Sequence, residues 1–218
     1  MADPLTYRTL AGPVVASIEE RRSIFLCWLR RAEDEPTARA IVEEARETHW
    51  DARHHCSAFV LGADGATVRS NDDGEPAGTA GAPMLEALTR SGLTEVVAVV
   101  TRWFGGTLLG TGGLARAYAD AVRAALDEAL VTGLVLTRER VRAVDVRVGH
   151  DLAGRLEHDL RARGVGIDGV RYAEQVTLRI QWPLSRAGAL EDLLAELTSG
   201  QAHVIPGTES EDWLDLPQ

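Results

Sequence analysis

Residues 95–103, EVVAVVTRW, leave little choice of fold because they form an almost continuous apolar run rich in β-branched side chains. Such a run predicts a strand that is covered on both of its faces. A glycine-dense stretch follows directly, FGGTLLGTGGL at 104–114, and apolar residues then recur at helical spacing as far as Ala129. The sequence therefore predicts a layered domain whose central strand leads through a glycine-rich loop into a long amphipathic helix.

The residues before this strand alternate between strand and helix patterns. Residues 14–18 and 23–29 predict two short strands, and the apolar spacing that begins after Pro36 predicts a helix. HCSAFVL and ATVRS flank the turn residues GADG, which predicts a β-hairpin. A short helix is expected from about Pro83 to Thr89.

The pattern restarts near Gly133. Residues 141–148 alternate as a strand, and a helix, two strands, a second helix and a final strand follow, which is the βαββαβ order of ferredoxin-like domains. We therefore expect an α+β fold with one domain over residues 1–133 and a second over residues 137–208. Residues 209–218 are rich in acids and are expected to form a frayed acidic tail.

The composition restricts the class of function. The chain has 218 residues and a formal net charge of −10, which argues against non-specific binding to nucleic acid. All 23 basic residues are arginine, so a Schiff-base lysine and a lysine-dependent phosphate loop are excluded. Apolar runs are too short to span a membrane, the first residues lack a signal-peptide pattern, and only Cys27 and Cys56 are cysteines. These features favour a cytoplasmic globular protein without membrane partners.

A second unusual stretch, NDDGEPAGTAGAP at 71–83, places three carboxylates among glycines and prolines. Such carboxylates can hold a loop in shape by accepting backbone N–H bonds. Alternatively Asp72, Asp73 and Glu75, with His55, could form a catalytic acid–base group. His54 and Cys56 share one face of the predicted strand and His55 takes the other, and no second Cys/His pair has zinc spacing, so no metal site is expected.

The glycines at 110–115, GTGGLA, match a dinucleotide-binding pattern, but seven residues separate them from the strand. We therefore expect no nicotinamide or flavin, and no other cofactor. Glycines at a helix N-terminus leave backbone N–H groups uncovered, and Arg102 and Arg116 could add positive charge for an anionic ligand. Close packing of helix and strand is the alternative reason for these glycines. Trp103 and Phe104 cannot both face inward easily, so one exposed ring is expected there.

Three segments together resemble the YigZ/IMPACT family: DARHHC at 51–56, SNDDGEPAGTAGAPML at 70–85 and VVTRWFGGTLLGTGGLARAY at 99–118. The resemblance implies an N-terminal βαβ domain of the ribosomal-protein and elongation-factor type. It also implies a ferredoxin-like C-terminal domain similar to the terminal domains of elongation factor G. Eukaryotic relatives bind a ribosome-associated activator of the amino-acid-starvation kinase, and lack this second domain.

These patterns lead to two hypotheses about function. The first is a non-enzymatic translation- or stress-linked protein that recognises RNA, a ribosomal component or a protein partner through its two glycine-rich loops. The second is a hydrolase or transferase acting on a small phosphorylated or peptide-like substrate in the same cleft. The predicted ligand-binding residues are Asp72, Asp73, Glu75, Gly78, Thr79, Gly81, Arg102, Gly105, Gly106, Gly110, Thr111, Gly112, Gly113 and Arg116.

Overall fold

The computed structural model describes residues 4–186 and 188–216 and divides into two compact units between Thr137 and Arg138. No helix within the described ranges combines the length and the apolar character that a membrane span requires. The two units are taken in turn below.

The first unit contains a five-stranded sheet with one helix on one face and two on the other. The sheet has the order β2-β3-β6-β4-β5, and each neighbouring pair is antiparallel. A further short strand, β1 (Thr6–Leu10), pairs with β7 (Val135–Val148), the long strand that begins in this unit and continues into the next. The elements are β1 (Thr6–Leu10), β2 (Val14–Glu20), β3 (Ser23–Arg31), α1 (Glu35–Thr48), β4 (His54–Leu61), β5 (Thr67–Asn71), α2 (Gly81–Ser91), β6 (Val96–Trp103) and α3 (Gly110–Val131).

Strand β6 lies at the centre of this sheet, and its alternating side chains enter two separate cores. Val96, Ala98 and Val100 belong to the core that contains the buried residues of α2 and α3. Val97 and Val99 belong to a second core formed with α1. The apolar run from Val96 to Val100 is thus explained, because this part of the strand is buried on both faces. The helix predicted near Pro36 is α1, and Asp34 caps its N-terminus, since its carboxylate accepts the Thr37 N–H at 2.8 Å.

The second unit has the ferredoxin-like arrangement that the sequence predicts. Its antiparallel sheet has the order β10-β7-β9-β8, and two helices supply the buried residues that pack on one core. The mixed α+β class is therefore confirmed. The elements are β7 (Val135–Val148), α4 (His150–Ala162), β8 (Gly166–Tyr172), β9 (Val176–Pro183), a 3-10 turn (Leu184–Arg186), α5 (Leu190–Thr198), β10 (His203–Val204) and β11 (Ser210–Asp215).

The acidic C-terminal segment is a strand, and the expectation that it frays is wrong for residues 210–215. Strand β11 pairs with β7 from Ser210 opposite Ala143 to Asp215 opposite Arg138. The acids find arginines on β7, since Glu211 lies 2.6 Å from Arg140 and Asp215 lies 2.8 Å from Arg138. Charge complementarity and a backbone ladder therefore order a segment that has almost no apolar periodicity. Residues 217 and 218 of the predicted tail lie outside the described residues.

Candidate functional site

The acidic loop, residues 71–81, is closed by the side chain of its own second residue. Asp72 Oδ2 accepts the Gly78 N–H at 2.8 Å, and Oδ1 accepts the N–H groups of Ala80 at 3.0 Å and Gly81 at 2.8 Å. Burial disfavours the ionised form, but the three N–H donors outweigh it and hold the pKa of Asp72 below its ordinary value. Ala80 and Gly81 begin α2, so Asp72 caps this helix from across the loop.

Asp72→Asn is expected to lower the free energy of unfolding by about 1–3 kcal/mol at neutral pH. The asparagine amide has one acceptor oxygen and no negative charge, so it cannot replace a carboxylate whose two oxygens accept three N–H bonds. The folded-state pKa of Asp72 is lowered, so the stability it contributes is present above the ordinary aspartate pKa. That contribution is lost as the pH falls through the lowered pKa of the folded state.

Urea denaturation of both proteins at neutral and strongly acidic pH measures this effect. The stability difference between wild type and Asp72→Asn should narrow on acidification. A difference that stays constant across the pH range would show that the carboxylate charge of Asp72 does not hold the loop.

Asp73 fastens the acidic loop to β4 and to α1. Its backbone has a positive φ of 43°. Its Oδ2 accepts the backbone N–H of His55 at 2.7 Å, and its Oδ1 accepts Arg46 Nη2 at 3.0 Å. His54 Nδ1 lies 2.9 Å from the Asp73 carbonyl oxygen, which makes that nitrogen the donor. Because both carboxylate oxygens of Asp73 are engaged within the protein, neither is placed as a free general base.

Glu75 is buried and forms an ion pair beneath the loop. Its Oε1 accepts Arg102 Nη1 at 2.6 Å and the Tyr118 hydroxyl at 2.8 Å, and the side chains of Glu75 and Arg102 are only 4% and 7% exposed. Arg102 Nε is also buried and has no partner among the described residues. Arg102 was expected to offer positive charge to a ligand, whereas in the structure its charge is neutralised by the buried carboxylate of Glu75. Tyr118 is wholly buried in the core.

The residues proposed for acid–base catalysis all have hydrogen-bond partners within the protein. His55 is buried with its Nδ1 3.1 Å from Thr101 Oγ1, and burial is the main cause that lowers its pKa. Cys56 points to the opposite core, donates its thiol to the Asp72 carbonyl, and has its pKa raised to about 12 by burial. In the part of the chain that the structure describes, no three His, Cys, Asp or Glu residues gather closely enough to hold a metal ion.

The second glycine-rich loop, residues 104–109, crosses the tip of the β2–β3 hairpin at Gly105. A Cβ atom on Gly105 would lie 2.1 Å from the carbonyl carbon of Arg22 and 2.4 Å from the nitrogen of Ser23. The Gly105 N–H donates to Ser23 Oγ at 3.1 Å. This glycine therefore serves close packing of two backbone segments, which is the structural alternative left open by the sequence.

The start of α3 is different, because one of its glycines, Gly112, is explained neither by packing nor by a left-handed backbone, whereas a Cβ atom on Gly113 would lie 3.0 Å from the Leu109 Cβ and Gly110 has a φ of 71°. Gly112 lies in the first turn of the helix, and a Cβ atom added there would meet no atom of the described residues within 4 Å apart from the adjacent helix backbone. Thr111, Gly112 and Arg116 are exposed, and Arg116 makes no hydrogen bond or ion pair with the described residues. The first-turn N–H groups of this helix thus remain open to an approaching group.

An open cleft of about 680 Å³ lies beside the end of β6 and is named here the aromatic cleft. Trp103 forms part of its wall and is fixed by an Nε1–H bond to Asp51 Oδ2 at 2.9 Å. Phe104 is 56% exposed and Leu108 is 82% exposed at its edge. The cleft is lined by Asp51, Ala52, Arg53, His54, Arg102, Trp103, Phe104 and Leu108.

The sequence reasoning found this cleft only in part. It expected one exposed ring among Trp103 and Phe104, and Phe104 is that ring, with the Arg102 guanidinium carbon 5.6 Å from its centroid. It assigned no ligand contact to Leu108, Asp51 or Arg53. The signal for Leu108 is the pair of leucines inside a glycine-rich stretch, of which Leu109 packs against the core and leaves Leu108 exposed.

The predicted ligand-binding residues fall into three groups by accessibility. Thr79 and Gly81 are buried together with Glu75 and Arg102, and the Thr79 hydroxyl donates to the Pro76 carbonyl at 2.7 Å. Asp72 and Asp73 are half-buried with their carboxylates engaged, and Gly105 and Gly113 are half-buried as well. The residues that are exposed to a ligand are Gly78, Gly106, Gly110, Thr111, Gly112 and Arg116.

Comparison with known proteins identifies relatives that cover nearly the whole chain. Residues 21–126 match a family model described as the Impact N-terminal domain, and residues 146–201 match a domain of unknown function, DUF1949. The chain is 36% identical over 197 residues to IMPACT family member YvyE of Bacillus subtilis, covering 90% of this chain and 88% of that protein. It is 38% identical over 197 residues to IMPACT family member YigZ of Escherichia coli, and the match covers 89% of this chain and 95% of that protein.

Two further matches extend this comparison to a eukaryote and to a solved structure. Protein IMPACT homolog of Saccharomyces cerevisiae is 32% identical over 113 residues, which cover 50% of this chain and 42% of that protein. A crystal structure of a hypothetical protein is 35% identical, superposes with a TM-score of 0.63, and covers 93% of this chain and 97% of its own.

Proposed function

The chain belongs to the IMPACT family, and from that premise we propose that it is a non-enzymatic binding protein that recognises a protein partner through the aromatic cleft. One observation carries this proposal: Phe104 and Leu108 are exposed at the edge of a cleft whose walls come from the DARHHC segment and the segment after β6. Exposed large apolar side chains around a concavity are typical of protein-binding surfaces. A link to translation or stress responses is part of this proposal and comes from the resemblance of the sequence to the YigZ/IMPACT family.

The charges of the cleft favour a protein partner over RNA. Arg102, the basic residue at its base, is neutralised by Glu75 at 2.6 Å, and the chain as a whole carries a net charge of −10. Binding to RNA draws most of its affinity from arginines and lysines that neutralise phosphates. Among the residues that line the cleft, Arg53 is the exposed arginine, and it makes no ion pair with the described residues.

Phe104→Ala is expected to weaken binding of the partner about tenfold to thirtyfold, the usual cost of removing a central aromatic side chain from an interface. The measurement is affinity capture from a native cell extract, followed by titration of the captured partner. Tyr172→Ala is the matched control, since Tyr172 is also an exposed aromatic residue but lies on β8 of the second unit.

Treatment with ribonuclease and a salt titration separate the two classes of partner. Association that survives ribonuclease, changes little with salt and depends on Phe104 supports the proposal. Association that is abolished by ribonuclease and is unaffected by Phe104→Ala would identify RNA as the ligand and overturn it.

The start of α3 is proposed as a second contact surface for the same partner, because it begins two residues after Leu108. Gly112→Ala is expected to raise the free energy of unfolding by about 0.5–1 kcal/mol, since alanine is the better helix residue and meets no atom. The same methyl group would cover the N–H groups of the first turn and weaken partner binding. Stability rising with no change in binding would remove this surface from the proposal.

A further inference from the structure

A pocket of about 300 Å³ lies where the second half of α3 passes the end of α2, and it shares no lining residue with the aromatic cleft. Its wall is apolar and is built by Ala87, Leu93 and Leu126, which are buried, and by Leu130, which is 57% exposed. This volume is at the lower end of the range for sites that take small organic molecules. The pocket therefore has room for a compact apolar body.

The rim of this pocket carries three arginines, Arg8, Arg90 and Arg123, against one acid, Asp127. Arg90 and Arg123 are each paired with an acid of their own helix, so among the described residues the rim arginine whose charge no ion pair balances is Arg8. Arg8 has no ion-pair partner within 4 Å in the described ranges. Its position is nevertheless fixed, because the Thr94 N–H donates to the Arg8 carbonyl at 2.9 Å and Arg8 bridges to Leu93.

Within residues 4–186 and 188–216, the other two arginines are held only by exposed partners on their own helices. Arg90 pairs with Glu86, and the two side chains are 74% and 62% exposed. Arg123 pairs with Asp120, and these side chains are 54% and 45% exposed. Exposed pairs of this kind contribute little to stability and are easily exchanged for another anion. All three guanidinium groups are thus available to a ligand.

We propose that this pocket binds a small amphipathic carboxylate. The apolar body packs against the leucines of the wall, and the carboxylate is held by Arg8 and by Arg123 or Arg90 through charge-assisted hydrogen bonds. A purely apolar ligand would make no charge-assisted hydrogen bond with the arginines of the rim. A small anion without an apolar part would leave the leucine side chains of the wall exposed to water. The inference is independent of the proposed partner site, because the two share no residue.

Octanoate is the probe, with the full-length chain titrated by calorimetry. Three compounds isolate the two features of the ligand: 1-octanol keeps the body without the charge, octylamine reverses the charge, and acetate keeps the carboxylate without the body. Octanoate is expected to bind at least about tenfold more tightly than each of them, since each lacks one of the two contributions. Equal binding of octanol or of octylamine would overturn the carboxylate assignment.

Substitutions on the rim test the location of the site. Arg8→Gln and Arg123→Gln are each expected to weaken octanoate binding about tenfold. Arg142→Gln, an exposed arginine on β7 of the second unit, should leave it unchanged. The substituted residues are exposed, so folding is checked by circular dichroism. Folded variants of Arg8 and Arg123 that bind octanoate like the wild type would overturn the proposal.

Discussion

Glu75→Gln is expected to lower the free energy of unfolding by about 3–5 kcal/mol, because it leaves the Arg102 guanidinium buried without a counter-charge. Arg102 cannot turn to water, since its side chain is 7% exposed and its guanidinium carbon lies 5.4 Å from the ring centroid of Phe25. The Tyr118 hydroxyl loses its charged acceptor at the same time. Urea denaturation followed by tryptophan fluorescence measures the loss.

Two comparisons separate this effect from a general sensitivity to charge. Glu86→Gln removes an exposed ion pair with Arg90 and should change stability by less than about 1 kcal/mol. Adding Arg102→Met to Glu75→Gln should restore part of the lost stability, because the unpaired charge is then gone. A double variant less stable than Glu75→Gln would show that Arg102 stabilises the fold without its carboxylate partner.

Gly105→Ala is expected to lower the free energy of unfolding by about 2–4 kcal/mol. The methyl group would lie 2.1 Å from the carbonyl carbon and 2.2 Å from the carbonyl oxygen of Arg22, and neither backbone atom can move aside as a side chain can. The loop must then leave the β2–β3 hairpin, which also breaks the hydrogen bond to Ser23 Oγ. Phe104 would shift with it, so partner binding should fall as well.

Gly106→Ala, one residue further on, is the matched control for this substitution. Gly106 has a φ of 84° but nothing lies within 4 Å of its Cβ position, so alanine meets only the strain of the left-handed backbone, about 1–2 kcal/mol. Gly105→Ala should therefore be the more damaging of the two. The reverse order would mean that the loop does not rest on the hairpin tip in solution.

The elements that the sequence predicts well are those with strong local patterns. Strand β6 was recognisable from its apolar run, and the ferredoxin-like unit from its alternating strands and periodic helices, because burial on one or two faces leaves a direct mark on composition. Strand β11 left no such mark. It is held on β7 by the backbone ladder and by ion pairs with Arg138 and Arg140. The sequence of a charged strand does not indicate which other strand carries the complementary charges.

The site is less predictable because its contacts join distant parts of the chain. Glu75 meets Arg102 and Tyr118, which lie 27 and 43 residues away, and Gly105 meets the hairpin residue Ser23, 82 residues away. The composition of the acidic loop indicated that its carboxylates hold its shape. It could not show that Glu75 would remove Arg102 from the surface, because that depends on which atoms the folded chain brings together.

The position of Phe104 between Arg102 and Gly105 has a consequence for association. The guanidinium carbon of Arg102 lies 5.6 Å from the centroid of the Phe104 ring. The backbone of Gly105 is fixed against the β2–β3 hairpin by close packing and by its hydrogen bond to Ser23. A side chain that is already held in place loses little conformational entropy when it is covered, which spares about 0.5–1.5 kcal/mol for each such side chain. If the aromatic cleft binds a partner as proposed, part of its affinity is therefore set in the free protein, before the two molecules meet.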